Sequence, residues 1–214
     1  MSIITTMVLK YIKTLNKGDL IVSRYREDTT WLSEFSDYRI FLYNKGEPIE
    51  GSINLPNVGR EGNTYLTHII KNYDNLGEWV FFTQGHPFDH VRNYKEVLKE
   101  FPNTTKSIVF EKPNQLLFFS DDRFKRVLHS RPNGTPHHGG GGMDINGVWV
   151  ELFEDPPLEL YPFTAGAIFA VSRDTIRMRS VEFYKRANEL CVNKVLGPWI
   201  FERLFISIFD NTNK

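Results

Sequence analysis

The stretch that most constrains the fold runs from residue 54 to residue 90, NLPNVGREGNTYLTHIIKNYDNLGEWVFFTQGHPFDH. It reads as loop, helix, strand and loop. Asn57 to Gly62 is a polar entry punctuated by glycine, and apolar residues then recur at Tyr65, Leu66, Ile69, Ile70, Tyr73 and Leu76, the spacing of one helix face. Asn75-Leu76-Gly77 closes that helix. Trp79 to Thr83 is a short run of strand formers, apolar on both faces, which is the pattern of a strand buried inside an α/β sheet and not at a half-wet edge. In open α/β sheets ligands sit beyond the carboxyl ends of central strands. That end is Gln84 to His90, a loop rich in groups that bind metals or move protons.

The flanking sequence extends the pattern. Leu20 to Ser23 has a buried-strand composition and breaks off into the charged loop Arg24 to Asp28. Asp28 or Thr29 can cap a helix beginning near Trp31, Tyr38 to Tyr43 makes the next strand, and Asn44-Lys45-Gly46 closes it. This alternation predicts a wound α/β layer of parallel strands joined by right-handed crossovers. Further on, Tyr94 to Phe101 predicts a helix, Ser107–Phe110 and Gln115–Phe119 are short apolar stretches, and Val148 to Phe153 predicts a strand. Thr164 to Ser172 gives a small-residue turn and a strand, and Asp174 to Cys191 one amphipathic helix. Gly197-Pro198 opens the last helix, with Glu202 and Arg203 embedded among Trp199, Phe201, Leu204, Phe205 and Ile208. Residues 131–147 are glycine-rich and suit a mobile lid over substrate. The adjacent His137 and His138 in that loop lack the fixed geometry of a metal site.

Composition narrows the function classes. With 214 residues, 41% of them hydrophobic, the chain can bury one substantial core, so a single domain over residues 1–214 is expected, with room for further domains of a longer polypeptide beyond its polar end. Twenty-six basic residues balance 26 acidic ones, so no global field favours nucleic acid or an anionic membrane. No apolar run reaches the roughly 20 residues that a membrane span needs. The lone Cys191 precludes an internal disulfide framework and fits a reducing compartment, with the cytoplasm as the expected location.

Three loops should share one rim: Arg24 to Asp28, Asn57 to Gly62, and Gln84 to His90. A helix amino terminus behind a glycine turn offers N–H groups to an anion, and Arg24 and Arg60 add charge-assisted contacts. This predicts a diphosphate site that includes Arg24, Tyr25, Arg60, Glu61, Gln84 and Gly85. Pairing of Arg60 and Glu61 with rim charges to hold the loops is the plainer alternative. His86, Asp89 and His90 stand at i, i+3 and i+4 and can face one way as metal ligands. Asp121 and Asp122, after the apolar run that ends at Phe119, form a second candidate set or a helix cap. For a catalytic carboxylate the candidates are Glu202, in an apolar setting that demands a raised pKa or an arginine partner, and Asp155, with Glu154 beside it.

Several of these segments, taken together, resemble a known family. They are Ser-Arg-Tyr-x-Glu-Asp, Asn-Val-Gly-Arg-Glu-x-x-Thr-Tyr-Leu, Val-Phe-Phe-x-Gln-Gly, Ala-Gly-Ala-Ile-Phe-Ala-Val-Ser-Arg and the final Glu-Arg-Leu-Phe. The resemblance is to a glycosyltransferase-like family of fungi and algae, and more closely to the amino-terminal domains of large chlorella-virus glycosyltransferases. It implies a GT-A-like, Rossmann-like fold with a mixed, mostly parallel central sheet flanked by helices. It also implies a nucleotide-diphosphate sugar donor, a carbohydrate acceptor and a divalent metal, Mn²⁺ or Mg²⁺. For a viral chain the location becomes the host cytoplasm. Where such enzymes carry Asp-x-Asp after the central strand, this chain has Thr83-Gln84-Gly85-His86. Either His86 with Asp89 substitutes for that motif, or Asp121-Asp122 does, or metal dependence is weak. Two other classes stay open from the residues themselves: a metal-dependent phosphoester hydrolase using His86, Asp89 and His90, and a noncatalytic carbohydrate-binding module suggested by the aromatic content.

Overall fold

The computed structural model describes residues 17–121, 127–133 and 142–210. Its strands are β1 (Asp19–Arg24), β2 (Arg39–Asn44), β3 (Ile53–Asn54), β4 (Trp79–Gln84), β5 (Ile108–Lys112), β6 (Leu116–Phe119), β7 (Leu128–Ser130), β8 (Tyr161–Phe163) and β9 (Phe169–Ser172). Its helices are α1 (Arg60–Asn72), α2 (Tyr94–Glu100), α3 (Ile145–Phe153), α4 (Arg173–Arg177), α5 (Val181–Asn193) and α6 (Gly197–Phe209). Seven strands make one sheet in the order β3-β2-β1-β4-β9-β6-β5, while β7 and β8 pair separately.

The apolar run at Trp79 is the fourth of those seven strands, as its two-sided hydrophobicity requires. Strands β3, β2, β1 and β4 are mutually parallel, whereas β9 runs antiparallel to both β4 and β6, and β5 antiparallel to β6. Five of the seven strands, β3, β2, β1, β4 and β6, therefore run one way and β9 and β5 oppose them, so the sheet is mixed and hydrogen-bonded parallel pairing is confined to the first four. The link from Lys112 to Leu116 is too short for a parallel crossover, which needs a dozen or more residues, so β5 and β6 close as a hairpin.

Alternation along each strand supplies two cores. Ile21, Val80, Phe82, Leu116, Phe118, Phe169 and Val171 face one side, under α1, α3, α5 and α6. Leu20, Val22, Phe81, Leu117, Phe119, Ile168 and Ala170 face the other, under α2 and the 3₁₀ turn Thr30–Glu34. Complete burial of each large apolar side chain stabilises by about 1.5–3 kcal/mol. The sheet is thus held from both faces, and its strand ends are rigid platforms.

Three local expectations change. Residues Val148–Phe153 are not a strand but the body of α3. Asp144 caps it by accepting a hydrogen bond from Gly147 N–H at 2.9 Å, and Ile145, Val148, Trp149 and Leu152 form its buried face at helical spacing. The single helix expected over Asp174–Cys191 is two, because Ser172 and Ser180 each accept a cap bond and start separate helices, α4 and α5. The helix near Trp31 is a 3₁₀ turn of five residues behind Asp28, whose carboxylate accepts from Thr30 N–H at 2.9 Å. Residues 134–141 of the glycine-rich loop, the expected lid with His137 and His138, lie outside the described residues. The rest of that stretch includes the cap and first turn of α3.

Candidate functional site

Because β1, β2 and β4 are parallel, their carboxyl ends open on the same rim. In register, Arg24 pairs with Asn44, and Ser23 with Gln84. The loops after these strands meet the start of α1 around a cavity of about 220 Å³. It is lined by Ser23, Arg24, Tyr25, Glu27, Lys45, Asn57, Arg60, Glu61 and Gln84. Five residues assigned to a diphosphate site from sequence, Arg24, Tyr25, Arg60, Glu61 and Gln84, are therefore neighbours. The sixth, Gly85, lies just behind them: its N–H donates to Ser23 O at 2.8 Å and its carbonyl accepts from Trp31 Nε1 at 2.9 Å.

Each side chain is placed by identifiable partners. Arg24 donates from Nε to Glu27 O at 2.9 Å and from Nη1 to Asn44 Oδ1 at 2.7 Å and Tyr25 O at 3.3 Å. Glu27 Oε2 accepts from the N–H groups of Tyr25 and Arg26. Arg60 lies 5.3 Å over the Trp199 ring and 3.4 Å from Glu61 Oε2, with 55% of its side chain exposed. At that exposure the ion pair is worth at most about 1 kcal/mol.

Lys45 was not singled out from the sequence, since a lysine in a strand-closing turn ordinarily points to water. Here it is 7% exposed, and its ammonium donates to Val58 O and to Asn63 Oδ1, the latter at 2.7 Å. Burial pulls its pKa down to about 8.

Deeper, Gln84 Nε2 donates to Gly166 O at 3.0 Å, and Gly166 N–H donates to Glu202 Oε1 at 2.8 Å. The other oxygen of Glu202 receives Arg203 Nη1 at 3.3 Å, and Arg203, 3% exposed, also reaches Trp199 O. The arginine pairing anticipated for Glu202 is thus met by Arg203. Glu61 and Glu202 lie within electrostatic reach of one another. Burial first, then the Glu202 charge, hold the Glu61 carboxyl above the usual range against the opposing pull of Arg60. The buried Tyr65 hydroxyl, one helical turn after Glu61, feels both carboxylates and has no hydrogen-bond partner among the described residues.

Two left-handed doublets flank the site, Gly59-Arg60 (φ 63° and 46°) and Gly166-Ala167 (φ 89° and 47°). A non-glycine residue at positive φ costs of order 1 kcal/mol, and such conformations concentrate at binding and catalytic sites.

The remaining candidates are spread along the rim. His86 precedes and Asp89 ends the 3₁₀ turn Pro87–Asp89, with Nε2 and Oδ1 3.8 Å apart, the histidine half exposed and the aspartate largely so. His90 turns inward against Gly166, and its carbonyl accepts from Asp121 N–H, which brings one of the alternative acids beside it. Asp121 is 6% exposed with Arg92 at 3.7 Å, while Asp122 lies outside the described residues. Among the described residues no three His, Cys, Asp or Glu side chains converge as a ligand set. Asp155 is exposed in the turn after α3, within reach of Arg179, and Glu154 pairs with Arg186 at 2.8 Å. Neither belongs to the cavity lining.

The carboxylate at Glu61 yields a stability prediction. Its folded-state pKa is raised, so the folded chain binds more proton than the unfolded chain between the unfolded value, about 4.3, and the folded one. Its contribution to stability therefore falls as pH rises through that window. Glu61→Gln is expected to melt above the parent at pH 7 and level with it at pH 3.5. Scanning calorimetry at the two pH values checks this, and a lower melting point at pH 7 contradicts it.

The fold and site define an α/β protein with a charged cavity at the ends of parallel strands. The model of a family described as protein of unknown function (DUF3431) matches residues 20–116, from β1 to the first residue of β6. The match spans every cavity-lining residue but not Gly166 or Glu202. No curated protein and no solved structure matches the chain. Among the described residues no helix is long and apolar enough to cross a membrane.

Proposed function

We propose that this chain is a GT-A-like glycosyltransferase domain that moves a sugar from a nucleotide-diphosphate donor to a carbohydrate hydroxyl. The observation that carries the reading is the meeting of Arg24, Tyr25, Lys45, Arg60, Glu61 and Gln84 in one cavity at the ends of three strands. Ligand sites commonly enclose 300–1,000 Å³. At about 220 Å³ the cavity suits a diphosphate better than a whole donor. The nucleoside then extends over Tyr25, a residue 40% exposed whose ring, with Arg26 over it at 4.8 Å, can stack on a base.

The chemistry follows from the same residues. Transfer places negative charge on the departing diphosphate, which Arg60 and the start of α1 stabilise. A divalent ion, Mn²⁺ or Mg²⁺, would neutralise the same charge. Such ions take one or two carboxylates plus phosphate oxygens and water, and Asp89 with His86, on the rim outside the cavity lining, would be the residues to hold one. Glu202, beside Glu61 and fixed by Gly166, is the base that removes the acceptor proton.

The test is thermal-shift and calorimetric screening of nucleoside diphosphates and nucleotide sugars with and without Mn²⁺. At least one should bind, and Arg60→Ala should weaken it about tenfold, the loss of one charge-assisted contact at roughly 1.4 kcal/mol. Equal binding by Arg60→Ala moves the diphosphate elsewhere, and no binding by any member of the panel removes the reading.

A further inference from the structure

We propose that Lys45 is the principal phosphate-binding residue of the strand-end cavity and that its buried ammonium takes the diphosphate group of the ligand. The inference rests on the nucleotide-sugar reading and deepens it. Three cations line the cavity. The guanidinium of Arg24 is committed to Glu27 O, Tyr25 O and Asn44 Oδ1, contacts that tie the loop after β1 to the end of β2. Arg60 is half exposed, rests on Trp199 and has Glu61 beside it. Lys45 differs from both. It is buried, it lines the cavity, and its two partners, Val58 O and Asn63 Oδ1, are neutral oxygens. No ion pair to a carboxylate forms there among the described residues.

An ammonium out of water is unfavourable unless an opposite charge or a full set of acceptors compensates it. Among the described residues two of its three N–H donors are used, which leaves one for a ligand. Its surroundings are organised to keep it in place: Asn63 donates to Asn188 Oδ1 at 2.9 Å and turns its carbonyl oxygen to Lys45. An anion in the cavity meets Lys45 and the amino-terminal turn of α1 together, because Asn63 belongs to that turn. Facing the ammonium are the Glu61 carboxyl from α1 and the Cys191 thiol from α5, which burial keeps neutral, with Arg24, Glu27 and Arg60 elsewhere on the wall. Burial outweighs them and lowers the pKa to about 8, so the ammonium loses its proton within a range that binding experiments reach.

The experiment is calorimetric titration of the whole chain with pyrophosphate and with nucleoside diphosphates at pH 7 and pH 9.5, for the parent, Lys45→Met and Lys45→Arg. The parent should bind at least tenfold more weakly at pH 9.5. Lys45→Met should lose at least tenfold at pH 7 and show no further fall. Lys45→Arg, charged at both values, should bind without the pH dependence. A residue that only staples Val58 to α1 would leave the pH profile unchanged. Parent-like affinity and profile in Lys45→Met overturn the inference while leaving the nucleotide reading intact. If Lys45→Met does not fold, a parent-like profile in Lys45→Arg has the same force. A folded parent that binds neither pyrophosphate nor any nucleoside diphosphate overturns both.

Discussion

Glu202→Gln is expected to lower sugar transfer by roughly 10²–10⁴-fold while leaving donor binding within a factor of about two, the signature of a lost proton acceptor. The amide keeps an oxygen that can accept from Gly166 N–H, so the turn into β9 stays in place. What disappears is the charge. Arg203, 3% exposed, is then left with Trp199 O and the Phe163 ring 4.7 Å away, and some stability is lost with it. A lower melting temperature therefore does not decide between catalysis and structure, and the rate must be read at a temperature where both chains are fully folded. Hydrolysis of the nucleotide sugar by water serves as the readout until an acceptor is in hand, since the same base would activate water. If the variant keeps most of its rate, Glu202 is a structural partner of Arg203 and Gly166, and Glu61 becomes the next candidate.

The parts of the site that could be read from the chain are those fixed by local pattern. Trp79 to Thr83 is apolar on both faces, so its place inside a sheet and the exposure of its carboxyl end follow from a handful of residues. The loops after β1 and before α1 reach the same rim because short α/β connections bring parallel strand ends together. What could not be read depends on partners distant in sequence. Strand β9 enters between β4 and β6 in the opposite direction, and it carries Gly166 to Gln84 and Glu202, yet its composition is that of any buried strand. Val148 to Phe153 has the β-branched and aromatic content of a strand, and only the cap at Asp144 and the packing of Trp149 against Tyr161 make it a helix. Lys45 is the sharpest case. Nothing in Asn44-Lys45-Gly46 signals that Asn63, one turn into α1, will hold its ammonium out of water.

At the opposite end of the sheet, Asp19→Ala is expected to destabilise the fold by about 3–4 kcal/mol, the loss of several charge-assisted hydrogen bonds at a fully buried position. Asp19 accepts from Arg39 Nε at 2.7 Å, from Arg39 Nη2 at 2.8 Å and from Gly77 N–H at 2.8 Å. Arg39 in turn reaches Asn75 O at 2.6 Å. One carboxylate thereby ties the start of β1 to the start of β2 and to the loop that delivers the chain from α1 into β4. These are the strands whose far ends frame the cavity, so their relative register is set partly from here. Arg39 is about one-third exposed and can be hydrated once its partner is gone, which keeps the cost from being larger. The part-buried Gly77 N–H loses its acceptor as well. For a domain of this size the change corresponds to a fall in melting temperature on the order of 10 °C. Asp19→Asn, which keeps an acceptor for one of the donors, should lose about half as much. Calorimetric melting of both variants checks the prediction, and a fall under about 3 °C in Asp19→Ala would show that the strand starts are aligned by core packing alone.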